Sequence, residues 1–244
     1  MEINFKGKRA LVTGAGSGIG RALALKLAQC GATVLAIDLS STALETLKQE
    51  IPNGEFAAVD ISNWEATNTT LRKLLPIDLL VNNAGIAFTD PLESITQEQC
   101  DRIFAVNVKA LINITKTVIS DMVARKSPGA IVNISSQASK AALLNHSLYC
   151  ATKGAVDAFT RAVALEFGPC NIRINCVNPT VVMTDLGRKI WSDPKMGGPM
   201  LAKIPLNRFA EIEDVVDGVL FLLSDKAQMI TGSCVPIDGG FLAC

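Results

Sequence analysis

Little in this sequence can hold a metal. It has one histidine, and its seven cysteines (30, 100, 150, 170, 176, 234 and 244) form no Cys-x-x-Cys pair. An odd, scattered set reads as reduced structural thiols in a reducing compartment, so no metal site is expected. A charge excess is missing too. Lys+Arg and Asp+Glu number 23 each, which favours neither nucleic acid nor a membrane surface as partner. No apolar run approaches the roughly 18 residues of a membrane span, and the apolar stretch at the start is too short for a signal peptide. A cytoplasmic setting is expected. Linkers, repeats and low-complexity tracts are absent as well. With 49% hydrophobic residues in 244, the chain can bury one large core, and one domain over 1–244 is expected.

What is present alternates. Short apolar runs at Lys8–Thr13, Thr33–Ile37, Phe56–Val59, Asp78–Val81, Ala130–Ile134 and Ile172–Val177 are separated by segments with helical spacing. Ile19, Leu23 and Leu27 recur at i, i+4, i+8, and Leu44, Leu47 and Ile51 at i, i+3, i+7. Helices are also expected over 96–125, 148–167 and Ile212–Leu223, and a last strand at Val235–Ile237. Strand-helix alternation with near-continuous apolar strands predicts an α/β fold, a doubly wound parallel sheet covered by helices on both faces.

The first strand ends in Thr13-Gly-Ala-Gly-Ser-Gly-Ile-Gly20. Glycines let the backbone turn sharply and approach a ligand, and a helix starting near Gly18 offers free N–H groups to a pyrophosphate. The bland reading is a tight turn. Asp38 closes the second strand, where a carboxylate accepts from adenosine ribose hydroxyls and repels a 2′-phosphate. With Leu39 after it and Ser17 in the loop, no basic residue stands ready for that phosphate. This favours NAD(H) over NADP(H). Asp60 ends the third strand, and Asp60-Ile61 is placed beside an adenine. Asn82-Asn83-Ala84-Gly85 ends the fourth with small residues that let a cofactor cross the strand edge. Asn83 either does this or braces neighbouring strands. Asn107, inside a long helix, either kinks it, caps something or holds a water.

Tyr149 and Lys153 sit four apart, on one face of a helix. A cation beside a phenol favours the phenolate, so Tyr149 is a candidate acid/base. Alone such a pair is usually surface. Ser136 ends the fifth strand thirteen residues earlier and can reach the same point; alone it would be a cap. After the sixth strand, Pro179 fixes a turn and Thr184 offers a hydroxyl. The loosely patterned segment 185–208 reads as a loop-helix excursion and a candidate lid. Trp191 within it either lines a pocket or packs ordinarily. Gln137, Asn145 and His146 flank the site and suit a small hydroxylated or dicarbonyl substrate. Leu143 is a candidate apolar wall, and His146 could instead cap the Tyr149 helix.

Together the Thr13–Gly20 loop, Asn82–Gly85, Asn107, Ser136, Tyr149 with Lys153, Asn178-Pro179 and Asp238-Gly-Gly240 resemble the short-chain dehydrogenase/reductase family over nearly the whole chain. Within it, Asn145–Cys150, Asn178–Thr184, Trp191–Pro194 and Gly239–Cys244 are most similar to the dicarbonyl/L-xylulose reductase branch. The resemblance implies a nicotinamide-dependent reductase of small polar carbonyls such as L-xylulose and diacetyl. It implies Asn107, Ser136, Tyr149 and Lys153 as catalytic, with Tyr149 as proton donor, its pKa lowered by Lys153. Ser136 then orients the carbonyl, and Asn107 holds a relay water. It implies a cofactor site of Gly14, Ser17, Gly18, Ile19, Asp38, Asp60, Ile61, Asn83, Ala84, Gly85, Tyr149, Lys153, Pro179, Val182 and Thr184. Substrate contacts fall to Ser136, Gln137, Leu143, Asn145, His146, Tyr149 and Trp191. Animal members use NADPH, so NADP(H) is the alternative to the NAD(H) that Asp38 and Leu39 favour. Relatives are mostly homotetramers; the apolar faces of 96–125 and 148–167 suit helix-helix interfaces or core packing equally. The competing readings are a 3-oxoacyl-carrier-protein reductase-like or broad carbonyl reductase, for which no basic carrier patch is visible, and an inactive nucleotide sensor.

Overall fold

The computed structural model describes residues 3–243, so Cys244 lies outside the described residues. Seven parallel strands form one sheet: β1 (Arg9–Thr13), β2 (Thr33–Asp38), β3 (Glu55–Ala58), β4 (Leu79–Asn82), β5 (Gly129–Ile134), β6 (Ile172–Pro179) and β7 (Cys234–Ile237). Their order is β3-β2-β1-β4-β5-β6-β7, so the direction of winding reverses between β1 and β4. The helices are α1 (Gly18–Gln29), α2 (Ser41–Glu50), α3 (Trp64–Leu74), α4 (Gln97–Phe104), α5 (Leu111–Ala124), α6 (Ser147–Phe167), α7 (Asp185–Trp191), α8 (Pro194–Leu201) and α9 (Ile212–Leu223).

The strand pleat sorts the core. Ala10 and Val12 of β1 face one cluster with Leu23 and Leu27 of α1 and Val215, Val219 and Leu222 of α9. Leu11, between them, faces the other with Leu71 of α3, Ile114, Val118 and Met122 of α5, and Val163 of α6. Both sides of each central strand are buried, which is why the strands read as unbroken apolar runs rather than alternations. The expected doubly wound sheet is what forms.

One element departs from expectation. The helix from Gln97 to Ala124 is long and apolar enough to cross a membrane by composition, with a mean hydropathy of 1.3, where the sequence reading found no such span. Over half of that window is buried within the protein, as in a core helix. It is also broken: Ala105–Ala110 is a π-helical stretch, with Asn107 in its middle. The 185–208 excursion carries two short helices, α7 and α8, followed by irregular chain, in line with the loop-helix expectation.

Candidate active site

A groove of about 580 Å³ opens over the carboxyl ends of β1, β2 and β4, where the winding reverses. Open α/β sheets bind ligands at this place. Of the expected cofactor residues, Gly14, Ser17, Gly18, Ile19, Asp38, Asp60, Ile61, Asn83, Ala84, Gly85 and Thr184 line it. Tyr149, Lys153, Pro179 and Val182 do not. Pro179 ends β6 opposite Ile237, and Val182 bridges Ala210 and packs on the core. Asp60 lies two residues beyond β3 rather than at its end.

The glycine loop is shaped by crowding. Gly14 has φ +65°, and a Cβ there would stand 2.9 Å from Ala84 Cα. At Gly20 a Cβ would stand 2.1 Å from the Gly14 carbonyl oxygen and 2.4 Å from Asn83 Nδ2. Asn83 Nδ2 donates to the carbonyls of Thr13 and Gly14, both at 3.0 Å, so Asn83 braces the loop while also lining the groove. Thr13 Oγ1 accepts from the Asn83 and Ala84 amides, each at 3.1 Å, a tie that sequence reasoning missed. Ser17 stands at the N-cap of α1 with no side-chain capping bond, and the first turn carries no acidic residue. The helix N-terminus therefore presents donors and a positive dipole end to the groove. Asp38 accepts from Gly16 N and Ser40 N, both at 2.8 Å, which locks its carboxylate against the loop. A dinucleotide fits this set: amides for a pyrophosphate, a carboxylate for ribose hydroxyls.

Two cations on the groove escaped the sequence reading, Arg102 of α4 and Lys189 of α7. Arg102 Nη1 donates to Asp60 Oδ2 at 3.0 Å and Ser62 Oγ at 2.6 Å. Burial opposes it, but these bonds from Ser62 and Arg102 hold the Asp60 carboxyl below its usual value. No local spacing joins residue 102 to residue 60, so no sequence signal announced the pair.

At the Gly85 end the groove meets the candidate catalytic residues. A Cβ on Gly85 would stand 3.4 Å from Asn107 Oδ1 and 3.6 Å from Lys153 Nζ. Lys153 is buried, donates to the Ile134 carbonyl at 2.8 Å, and its Nζ lies 5.5 Å from the centroid of the Tyr149 ring. Burial lowers its pKa to about 8, against the pull of Asp157. Tyr149 departs from expectation: its pKa is raised, not lowered. Burial is the largest cause, and Ser136 opposes it by a side-chain hydrogen bond. The buried ammonium, already bonded to a carbonyl, does not outweigh the desolvation of the phenol.

Ser136 is both things the sequence allowed. Its Oγ caps the turn Gln137–Ser139 by accepting from Ala138 N at 3.1 Å, and it reaches Tyr149. The Asn107 side chain is committed: Oδ1 accepts from Ile86 N at 2.8 Å, while Nδ2 donates to Ile86 O at 2.8 Å and Thr152 Oγ1 at 3.1 Å. It pins the turn after Gly85 to α6 across the π stretch, which narrows its expected role as a water holder. On the substrate side, Gln137 is buried and its Oε1 has no protein partner among the described residues. His146 occupies the N-cap of α6 but makes no capping bond; its ring lies edge-on to Tyr149 at 6.3 Å. Leu143 is half-buried, and Asn145 is exposed in a left-handed turn, φ 60°. Trp191 packs on Phe209, with centroids 6.1 Å apart, and lies outside the cofactor groove.

Known proteins agree with this geometry. A short-chain dehydrogenase family model, described as enoyl-(acyl carrier protein) reductase, matches residues 14–242. The chain is 52% identical to the L-xylulose reductase of Bos taurus over all of both chains. It is 49% identical to the D-erythrulose reductase of Gallus gallus over 99% of this chain and 98% of that one. Its fold is similar to the crystal structure of a gluconate 5-dehydrogenase from Burkholderia cenocepacia in complex with NADP and tartrate. The TM-score is 0.94 at 28% identity, covering 100% of this chain and 98% of the other. With a matching model over most of its length and half-identical relatives end to end, the chain belongs to the short-chain dehydrogenase/reductase family, as a nicotinamide-dependent oxidoreductase.

Proposed function

We propose that this enzyme reduces small polar carbonyls, L-xylulose to xylitol and α-dicarbonyls such as diacetyl, with NAD(H) preferred. The observation that carries the reading is the meeting of Ser136, Tyr149 and Lys153 at the Gly85 end of the dinucleotide groove. The orphan acceptor Gln137 Oε1 supports a substrate with hydroxyl donors. A buried acceptor without a partner is costly until a ligand donates to it. The L-xylulose and D-erythrulose reductases it resembles are named for ketoses.

When bound in the groove, the nicotinamide supplies the hydride. The protein does the rest. Ser136 donates a hydrogen bond to the substrate oxygen, and Tyr149 gives that oxygen its proton. The high pKa of the phenol in this structure keeps it protonated for that task. Lys153 then stabilises the phenolate left behind. Asp38 accepts from ribose hydroxyls and opposes a 2′-phosphate.

The test is turnover of diacetyl, L-xylulose and an acetoacetyl thioester with NADH and NADPH, for the wild type and Tyr149→Phe. We expect the ketose and the dicarbonyl to be reduced, and the variant to lose roughly 10²–10⁴-fold in kcat while still binding nucleotide. Near-normal turnover by Tyr149→Phe would remove the assignment, and a dominant thioester activity would favour the acyl-carrier reading that the description of the family model suggests. The same reading extends to a homotetramer in the cytoplasm, and sedimentation measures the assembly.

A further inference from the structure

Asp157 is the one buried carboxylate on the face of α6 that carries Tyr149 and Lys153, one turn beyond the lysine. Its Oδ1 accepts from Ser135 Oγ at 2.6 Å, and its Oδ2 from Ser139 Oγ at 2.7 Å. Asn178 Nδ2 lies 3.1 Å from both oxygens, and Cys176 Sγ stands 3.4 Å from Oδ1. These donors flank Ser136 on every side. Ser135 precedes it, and both follow the end of β5 at Ile134 rather than closing the strand as expected. Ser139 closes the turn that it caps, and Asn178 also donates to its carbonyl at 3.2 Å. Asp157 therefore ties α6 to the end of β5 and to β6 around Ser136.

It is also the opposite charge that acts on Lys153. The groups facing the ammonium are Tyr149 and Asp157 from its own helix and Cys176 from β6, with the Ile134 carbonyl as its acceptor. Burial and the neighbouring carboxylate push the Cys176 thiol far up, so it stays neutral and leaves Asp157 as the anion. Cys234 lies close enough to complete a metal-like trio with Asp157 and Cys176. The Asp157 oxygens are already filled by four side chains, which identifies the cluster as a hydrogen-bonded anchor.

We propose that Asp157 is a positioning residue of the reductase: its carboxylate keeps the buried Lys153 ammonium charged and fastens the loop that presents Ser136. It acts through these two residues and touches neither substrate nor nucleotide. The inference rests on Lys153 serving the reaction as described above.

The experiment compares the pH profiles of kcat/KM for diacetyl reduction, from pH 6 to 10, in wild type, Asp157→Asn and Asp157→Glu. Lys153→Ala and thermal unfolding run alongside. Without the charge the ammonium loses its proton earlier. Asp157→Asn should move the alkaline limb down by about one pH unit, so its rate falls more at pH 8.5 than at pH 6.5. Asp157→Glu should bring the limb back. Should the asparagine variant not fold, Asp157→Ser with and without added formate makes the same comparison, and formate should restore the limb. A limb that stays in place in all charge-removed variants, whatever their melting temperatures, overturns the proposal. If Lys153→Ala itself retains activity, the underlying reading of Lys153 fails instead, and the two failures are told apart.

Discussion

At Lys153 the role proposed for it in catalysis works against stability. An ammonium is buried beside a phenol with one carbonyl acceptor, and its pKa falls from 10.5 to about 8. The unfolded chain holds that proton up to about pH 10.5, while the folded chain releases it near 8. Between those values the unfolded state binds more protons, so folding gains stability as pH rises. Below pH 8 the buried charge costs about 3 kcal/mol. Lys153→Met should therefore be more stable than the wild type at pH 7, by about 1–3 kcal/mol in urea unfolding. That gain should shrink as pH climbs past 8, and activity should be lost. A wild type whose stability is flat from pH 8 to 10 would contradict the buried-charge account.

At the scale of elements, the junction of β1 and α1 works because backbone meets backbone there. The Gly20 position has no room for a methyl: 2.1 Å from a carbonyl oxygen is far inside contact distance. Asn83 holds that carbonyl from β4. Gly20→Ala must push the loop off β4 and spoil the amide cradle. We expect a loss of about 2–4 kcal/mol in stability and at least tenfold weaker NADH binding by fluorescence titration. Unchanged NADH affinity would mean that the loop does not hold the pyrophosphate. The π stretch at Ala105–Ala110 is a second junction. It places Asn107 where it clasps both chain atoms of Ile86 and reaches Thr152 on α6, so three elements share one amide.

At the scale of the whole molecule, the groove proposed for the nucleotide lies at the reversal of the sheet, and stability should report binding there. A ligand held only by the folded state at about 100 times its Kd adds about 2.7 kcal/mol, and so roughly 5–10 °C in Tm for a chain of this size. NADH should give that shift and NADPH distinctly less, because Asp38 lines the groove with its carboxylate locked in place. Like charges near 4 Å repel by a few kcal/mol at an effective dielectric of about 20. Asp38→Ser with Leu39→Arg should reverse the order of the two nucleotides. A wild type stabilised more by NADPH would refute the role given to Asp38 and point to Arg102 and Lys189 as phosphate readers.

Local chemistry determined much of this protein. Apolar runs of strand length, glycines where the chain must turn over a ligand and a Tyr-x-x-x-Lys spacing on a helix are short-range facts. They placed the strands, most of the cofactor groove and the Ser136, Tyr149 and Lys153 site. Tertiary structure decided whatever depends on distant neighbours. Arg102 meets Asp60 across 42 positions. Trp191 finds Phe209 rather than the groove. Asp157 looked like any helical aspartate until β5 and β6 closed round it. The direction of the Tyr149 pKa belongs here too. Spacing puts a cation near the phenol, but the extent of burial sets the balance between desolvation and charge, and only the packed fold supplies it.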